Sequence, residues 1–138
     1  MITYYDMKRF LDEKGINYQT GDGNAIILRE TSSKTHTTYL IGMDFQQEGY
    51  VDILLSICVL DRSNLNERLK ELINDFNTKY RFFKFYYRES SYNQYDITLA
   101  ATAIVKENDS VDEITELVWR GIDMADIVYP DIQRAIWR

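Results

Sequence analysis

The sequence predicts an α+β fold: one antiparallel sheet of about five strands with three helices, in the order α-β-β-β-α-β-β-α. Three observations predict it. Apolar residues alternate through Val51, Ile53, Leu55, Ile57 and Val59, the period of a long strand with one buried face. Three other stretches repeat apolar residues at helical spacing behind recognisable start signals. The strand-like stretches that follow one another are joined by short polar loops, which imply antiparallel pairing.

The first helix is short. Thr3 is placed to cap it, with Asp6 three residues on as a variant capping box. Met7, Phe10 and Leu11 share one helical face, and Gly15 follows Lys14 where a left-handed C-cap is wanted. Ile16 to Gln19 reads as a brief extended piece and Thr20-Gly21-Asp22-Gly23 as a turn. A β-prone run spans Asn24 to Glu30, and a polar loop covers Thr31 to Lys34. From Thr37 to Phe45, Tyr39, Ile41, Met43 and Phe45 point one way and Thr38, Leu40, Gly42 and Asp44 the other. Gln46 to Gly49 forms a hairpin loop into the long strand.

The second helix is expected to start near Asn64, with Glu67 at capping-box distance and Leu65, Leu69, Leu72, Ile73 and Phe76 recurring along it. Phe83, Phe85 and Tyr87 share one face of the next strand; after the loop Glu89 to Gln94, Ile97, Leu99, Ala101, Ala103 and Val105 share one face of the last. The polar turn Glu107-Asn108-Asp109 leads to Ser110 and Glu113, an S-x-x-E capping box. Ile114, Leu117, Val118, Gly121, Ile122 and Ala125 make that helix's inner face, and Glu116 and Arg120 are spaced to pair outside. Pro130 is expected to end the helix and open a final short turn carrying Ile132, Ala135, Ile136 and Trp137.

The chain has 138 residues and no Pro/Gly-rich linker, so residues 1–138 read as one domain. Apolar residues make up 45% and charged residues 28%, a globular balance. The net charge is −6 and no basic cluster is read against it, so nucleic acid and anionic membrane are not expected as partners. The lone Cys58 forms no internal disulfide or cysteine-based metal site. No signal-peptide pattern and no membrane-length apolar run occur, so a cytoplasmic protein is expected. The 11 tyrosines suit sheet surfaces and interfaces, or simply strand propensity.

The search for chemistry is mostly negative, so no enzyme and no cofactor are expected. His36 is the only histidine and has no nucleophile pattern beside it. Gly21-x-Gly23 precedes a strand, which puts no helix N-terminus behind it. Asp123, Asp126 and Asp131 form an acidic group, for which a divalent-cation or acid–base site is the alternative reading. Arg120 and Arg134 are spaced to pair with them, which favours a charge-balanced helix end. One positive feature stands out. The second face of the long strand carries Tyr50, Leu54, Cys58 and Leu60, broken by Asp52 and Ser56, and alternation adds Leu40, Tyr86, Ala100 and Ile104. That row is less polar than a solvated sheet face. Either a helix of the same chain covers it, or another chain does.

Four stretches carry a family resemblance: the opening run Tyr5 to Ile16, the middle helix Leu65 to Asn77 with Leu72-Ile73-Asn74, the strand Arg81-Phe82-Phe83-Lys84-Phe85-Tyr86, and the helix end Asp123-x-x-Asp126-x-x-Tyr129-Pro130. Together they resemble the YbjN family, the bacterial sensory transduction regulators, whose members share the fold of type III secretion chaperones. The resemblance implies a small acidic protein, often dimeric, that binds extended or partly unfolded protein segments, with no catalytic residues to carry over. The expected function is therefore a non-enzymatic, chaperone-like or regulatory binding module. Leu40, Leu54, Cys58, Leu60 and Tyr86 are its candidate contacts to a partner protein or to a second copy.

Overall fold

The computed structural model describes residues 2–107 and 109–137; Asn108, read above as part of a polar turn, lies outside them. Helix α1 (Tyr4–Glu13) starts at Thr3, whose hydroxyl accepts from Asp6 N–H while the Asp6 carboxylate accepts from Thr3 N–H, so both halves of the capping box form. The Thr3 N–H bond to the carboxylate, aided by the nearby Thr3 hydroxyl, also holds the Asp6 carboxyl below its ordinary range. Gly15 ends α1 at φ +67, a backbone that a Cβ disfavours.

The remaining elements are β1 (Gln19–Gly21), β2 (Ala25–Thr31), β3 (Thr38–Asp44), β4 (Tyr50–Asp61), α2 (Glu67–Lys79), β5 (Lys84–Ser91), β6 (Gln94–Ile104) and α3 (Val111–Ile136). The six strands form one antiparallel sheet in the order β1-β2-β3-β4-β6-β5. The fold class and order are those read from the sequence, with one strand more. The added strand, β1, keeps only Gln19 of the expected extended piece; Thr20 and Gly21, read as part of a turn, pair instead with Ile26 and Ala25.

All three helices lie on one face of the sheet. Rows such as Met43–Ile53–Ala101 and Ile41–Leu55–Leu99–Phe85 point into the core. Met7 and Leu11 of α1 meet Leu28, Met43 and Val118 there. Phe76 of α2 packs against Phe85 with ring centroids 5.3 Å apart and the rings tilted by 53°. At Gly121, α3 sits low on the sheet: a Cβ there would touch Leu99, Leu55 and Phe83 at 3.6, 3.7 and 3.9 Å.

Four local expectations need correction. The cap of α2 is Asn66, whose side chain accepts from Leu69 N–H; residues 62–64 form a 3-10 turn ahead of it. Ser110 is the N-cap of α3 by position, but its hydroxyl makes no capping bond. Pro130 does not end α3, which continues to Ile136. An interior proline costs about 3 kcal/mol because a hydrogen bond is lost and its ring crowds the preceding turn. Here Ile132 is fully buried two residues later, a contribution of about 1.5–3 kcal/mol, and Ala135 is buried with it. Asn66 also donates its amide to Ala135 C=O, so one side chain ties the start of α2 to the end of α3.

The fourth correction concerns β4. Ser56 faces Thr98 but Cys58 faces Ile97, so Ile57 is the extra residue of a β-bulge. Beyond the bulge the alternation inverts. Val59, expected inside, is 53% exposed, and Leu60, expected on the opposite face, is buried among the core residues.

Candidate functional site

The face of the sheet opposite the helices is the candidate site, and strand register builds it in rows. Ile27, Gly42, Leu54 and Ala100 lie side by side across β2, β3, β4 and β6, with Lys84 of β5 at the end. Gly42 leaves this row a shallow dip, because a Cβ there would meet nothing nearer than Leu54 C=O at 3.9 Å. The next row is Arg29, Leu40, Ser56, Thr98 and Tyr86. On the other side lie Ala25, Asp44, Asp52 and Thr102. The centre is thus an apolar strip, with carboxylates along one margin and cations at the β2 and β5 ends.

The polar members are held in place. Ser56 and Thr98 donate to one Asp96 oxygen at 2.7 and 3.1 Å, and Thr102 donates to Asp52 at 2.7 Å. Asp44 stands directly across from Asp52, and its carboxylate accepts from Gln46 N–H. Lys84 lies 5.9 Å from the Tyr86 ring centroid. The strip offers apolar contact ringed by fixed acceptors, a surface suited to binding.

The predicted contact residues divide. Leu40, Leu54 and Tyr86 lie together on this open face, with Leu40 40% exposed and the other two half-buried. Cys58 and Leu60 do not join them. The bulge places Cys58 opposite the buried Ile97, where it packs against the core, and turns Leu60 inward. Burial and the neighbouring Asp96 carboxylate push the Cys58 thiol up to about 12, which keeps it protonated and unreactive near neutrality. Ile27 and Gly42 were not among the predicted contacts. Strict alternation with the buried Ile26 and Met43 was the signal for both.

The three aspartates of the alternative reading go separate ways. Asp126 accepts from the hydroxyls of the buried Tyr39 at 2.7 Å and Thr35 at 3.4 Å, bracing α3 against β3. Burial, aided by that carboxylate, drives the Tyr39 hydroxyl pKa well above its ordinary value. Asp131 is ion-paired with Arg134, and Asp123 is exposed. Among the described residues no three His, Cys, Asp or Glu side chains are grouped to hold a metal. His36 is exposed in the β2–β3 turn at φ +57. Among the described residues no helix is long and apolar enough to cross a membrane.

A second surface was not anticipated. A groove of about 520 Å³ runs between α3 and the segment joining α2 to β5, lined by Tyr80, Arg81, Phe82, Phe83, Arg120, Asp123, Met124 and Ile127. Its signal lay in the run Lys79 to Arg88, which holds four Lys or Arg, no Asp or Glu, and six aromatic residues. The overall charge of −6 concealed a local excess of the opposite sign.

Residues 6–134 match the model of the YbjN family, described as "Putative bacterial sensory transduction regulator". No curated protein matches the sequence. Among solved structures the chain is similar to "Crystal structure of YbjN, a putative transcription regulator from E. coli", with a TM-score of 0.65 and 11% identity over 92% of this chain and 88% of that one. At that identity the likeness is one of fold.

Proposed function

The chain belongs to the YbjN family, and from that membership together with the open sheet face we propose a regulatory protein that acts by binding another protein rather than by catalysis. The family and its E. coli relative are both described as regulators, one of sensory transduction and one of transcription. The observation that carries the reading is the one-sided placement of the helices, which among the described residues leaves the strip Ile27–Gly42–Leu54–Ala100 without a helix over it. An antiparallel sheet with a solvated face ordinarily shows a polar row there.

The working contacts in this reading are Leu40, Leu54 and Tyr86, joined by Ile27. Each 100 Å² of apolar surface removed from water is worth about 2.5 kcal/mol, and association costs about 4–15 kcal/mol. A partner must therefore cover several hundred Å², which requires the Leu40 and Tyr86 row as well as the Leu54 row. The reading keeps a chaperone-like mode, in which an extended segment of the partner lies on the sheet, with a second copy as a further occupant and the cytoplasm as the location. An acidic protein acting this way has no need to bind nucleic acid or membrane.

Leu54→Asp tests it. The Leu54 side chain points away from the helix-covered core, so the variant is expected to keep its circular-dichroism spectrum. Companions recovered with the tagged wild-type protein from its native host are expected to be lost with the variant. A folded variant that retains every companion overturns the reading.

A further inference from the structure

The groove between α3 and the α2–β5 segment is independent of the sheet face and has its own chemistry. Its floor is Phe83, buried, with Phe82 standing edge-on against it, centroids 5.0 Å apart at 84°. Phe82 is 67% exposed and Ile127, on the facing wall of α3, 54% exposed. Large apolar side chains held this far out on both walls of one groove are a signature of an interaction site.

The rim supplies the charge. Arg81 is exposed and makes no ion pair among the described residues. Arg120, on the opposite wall, is held by Glu116 at 2.9 Å. Lys79, at the end of α2 beside the groove, lies over the Tyr80 ring at 5.2 Å. Asp123 is the one carboxylate in the lining. Arg81 is therefore, among the described residues, the cation of this aromatic lining left without an ion pair, on a protein of net charge −6. A basic ligand is drawn to most of this surface; only one that joins carboxylates to an apolar anchor is matched here in both respects.

From this complementarity we infer that the groove docks an acidic peptide segment of a partner protein: a bulky apolar side chain enters between Phe82 and Ile127, and a flanking Asp or Glu meets Arg81. The planar guanidinium suits a carboxylate in a two-point contact.

A displayed library of random 12-residue peptides, panned on the full chain at 50 mM salt, is the test. Enriched sequences are expected to pair Asp or Glu with a Leu, Phe or Trp. Their synthetic versions are expected to bind at least tenfold more weakly to Arg81→Glu and to Ile127→Glu, and several-fold more weakly at 300 mM salt. Both substituted residues are exposed, so thermal melts within a few degrees of wild type are expected; Leu54→Asp serves as a control that leaves these peptides bound. No enrichment, enrichment of basic sequences, or affinities unmoved by Arg81→Glu overturns the inference. So does a labelled oligothymidine that binds and is lost with Arg81→Glu, which assigns the groove to nucleic acid. A concentration-dependent dimer abolished by Ile127→Glu also overturns it, assigning the groove to a second copy.

Discussion

Replacing Tyr39 by Phe tests how α3 is anchored to the sheet. Tyr39 is fully buried on β3, and its hydroxyl donates to Asp126 at 2.7 Å, one turn before Pro130. The bond bridges the sheet and the stretch of α3 that proline weakens. Phenylalanine fills the same space, so no cavity term enters. What is lost is a hydrogen bond to a charged acceptor, worth about 1.5–3 kcal/mol, together with the 3.1 Å hydroxyl contact to Thr35, whose hydroxyl stays free to turn to Asp126. Asp126 is partly exposed and keeps Thr35 as a 3.4 Å donor, so water can resolvate it and the lower end, about 1.5 kcal/mol, is expected at pH 7. The alkaline limb gives a second reading of the same contact. Burial, more than the carboxylate, raises the folded pKa of Tyr39 above its ordinary value of 10.0. The folded state therefore holds this proton after the unfolded chain has released it. The associated stability is fully present below pH 10 and declines above it, by about 1.4 kcal/mol per pH unit. Urea unfolding from pH 7 to 11 measures both effects. Tyr39→Phe is expected to be less stable at neutral pH and to show a shallower alkaline decline. A variant within 0.3 kcal/mol of wild type at pH 7, with the same alkaline slope, refutes the anchoring argument.

Two other substitutions test the packing account. Gly121→Ala is expected to stabilise by about 0.5–1 kcal/mol, because the added methyl reaches Leu99, Leu55 and Phe83 at ordinary contact distance and removes a helical glycine; a fall in melting temperature would show that α3 cannot accept it. Asn77 donates to Phe85 C=O and accepts from Phe85 N–H at 2.8 and 2.7 Å, standing in for a neighbouring strand at the edge of the sheet. Asn77→Ala is expected to lose about 2 kcal/mol by urea unfolding and to aggregate more readily on heating; unchanged stability would mean that the two bonds contribute nothing net.

Much of the fold was legible because its signals are local and periodic. The capping box of α1, the alternation from Val51 to Ile57 and the inner face of α3 all follow from residues read a few at a time. The features that escaped are decided elsewhere. β1 is three exposed residues long and exists because β2 offers an edge. The bulge at Ile57 has no glycine or proline to announce it, yet it decides which face Leu60 joins. Pro130 is a strong local stop overridden by the burial of Ile132 and Ala135 beyond it. At the site, Leu40, Leu54 and Tyr86 were readable from alternation, whereas Cys58 and Leu60 were misplaced by the same rule applied across the bulge. The cationic, aromatic run from Lys79 to Arg88 was in plain view, but a summed charge of −6 carries no information about where opposite charges gather.

Hydroxyl-radical footprinting of the protein, alone and with a companion captured from its host, tests the central claim most directly. The account predicts that Leu40, Leu54 and Tyr86 lose reactivity in the complex while the exposed Trp119 of α3 and Trp137 just past its end keep theirs. Protection of the two tryptophans with the sheet residues unchanged would contradict it and move the binding surface to the helical side.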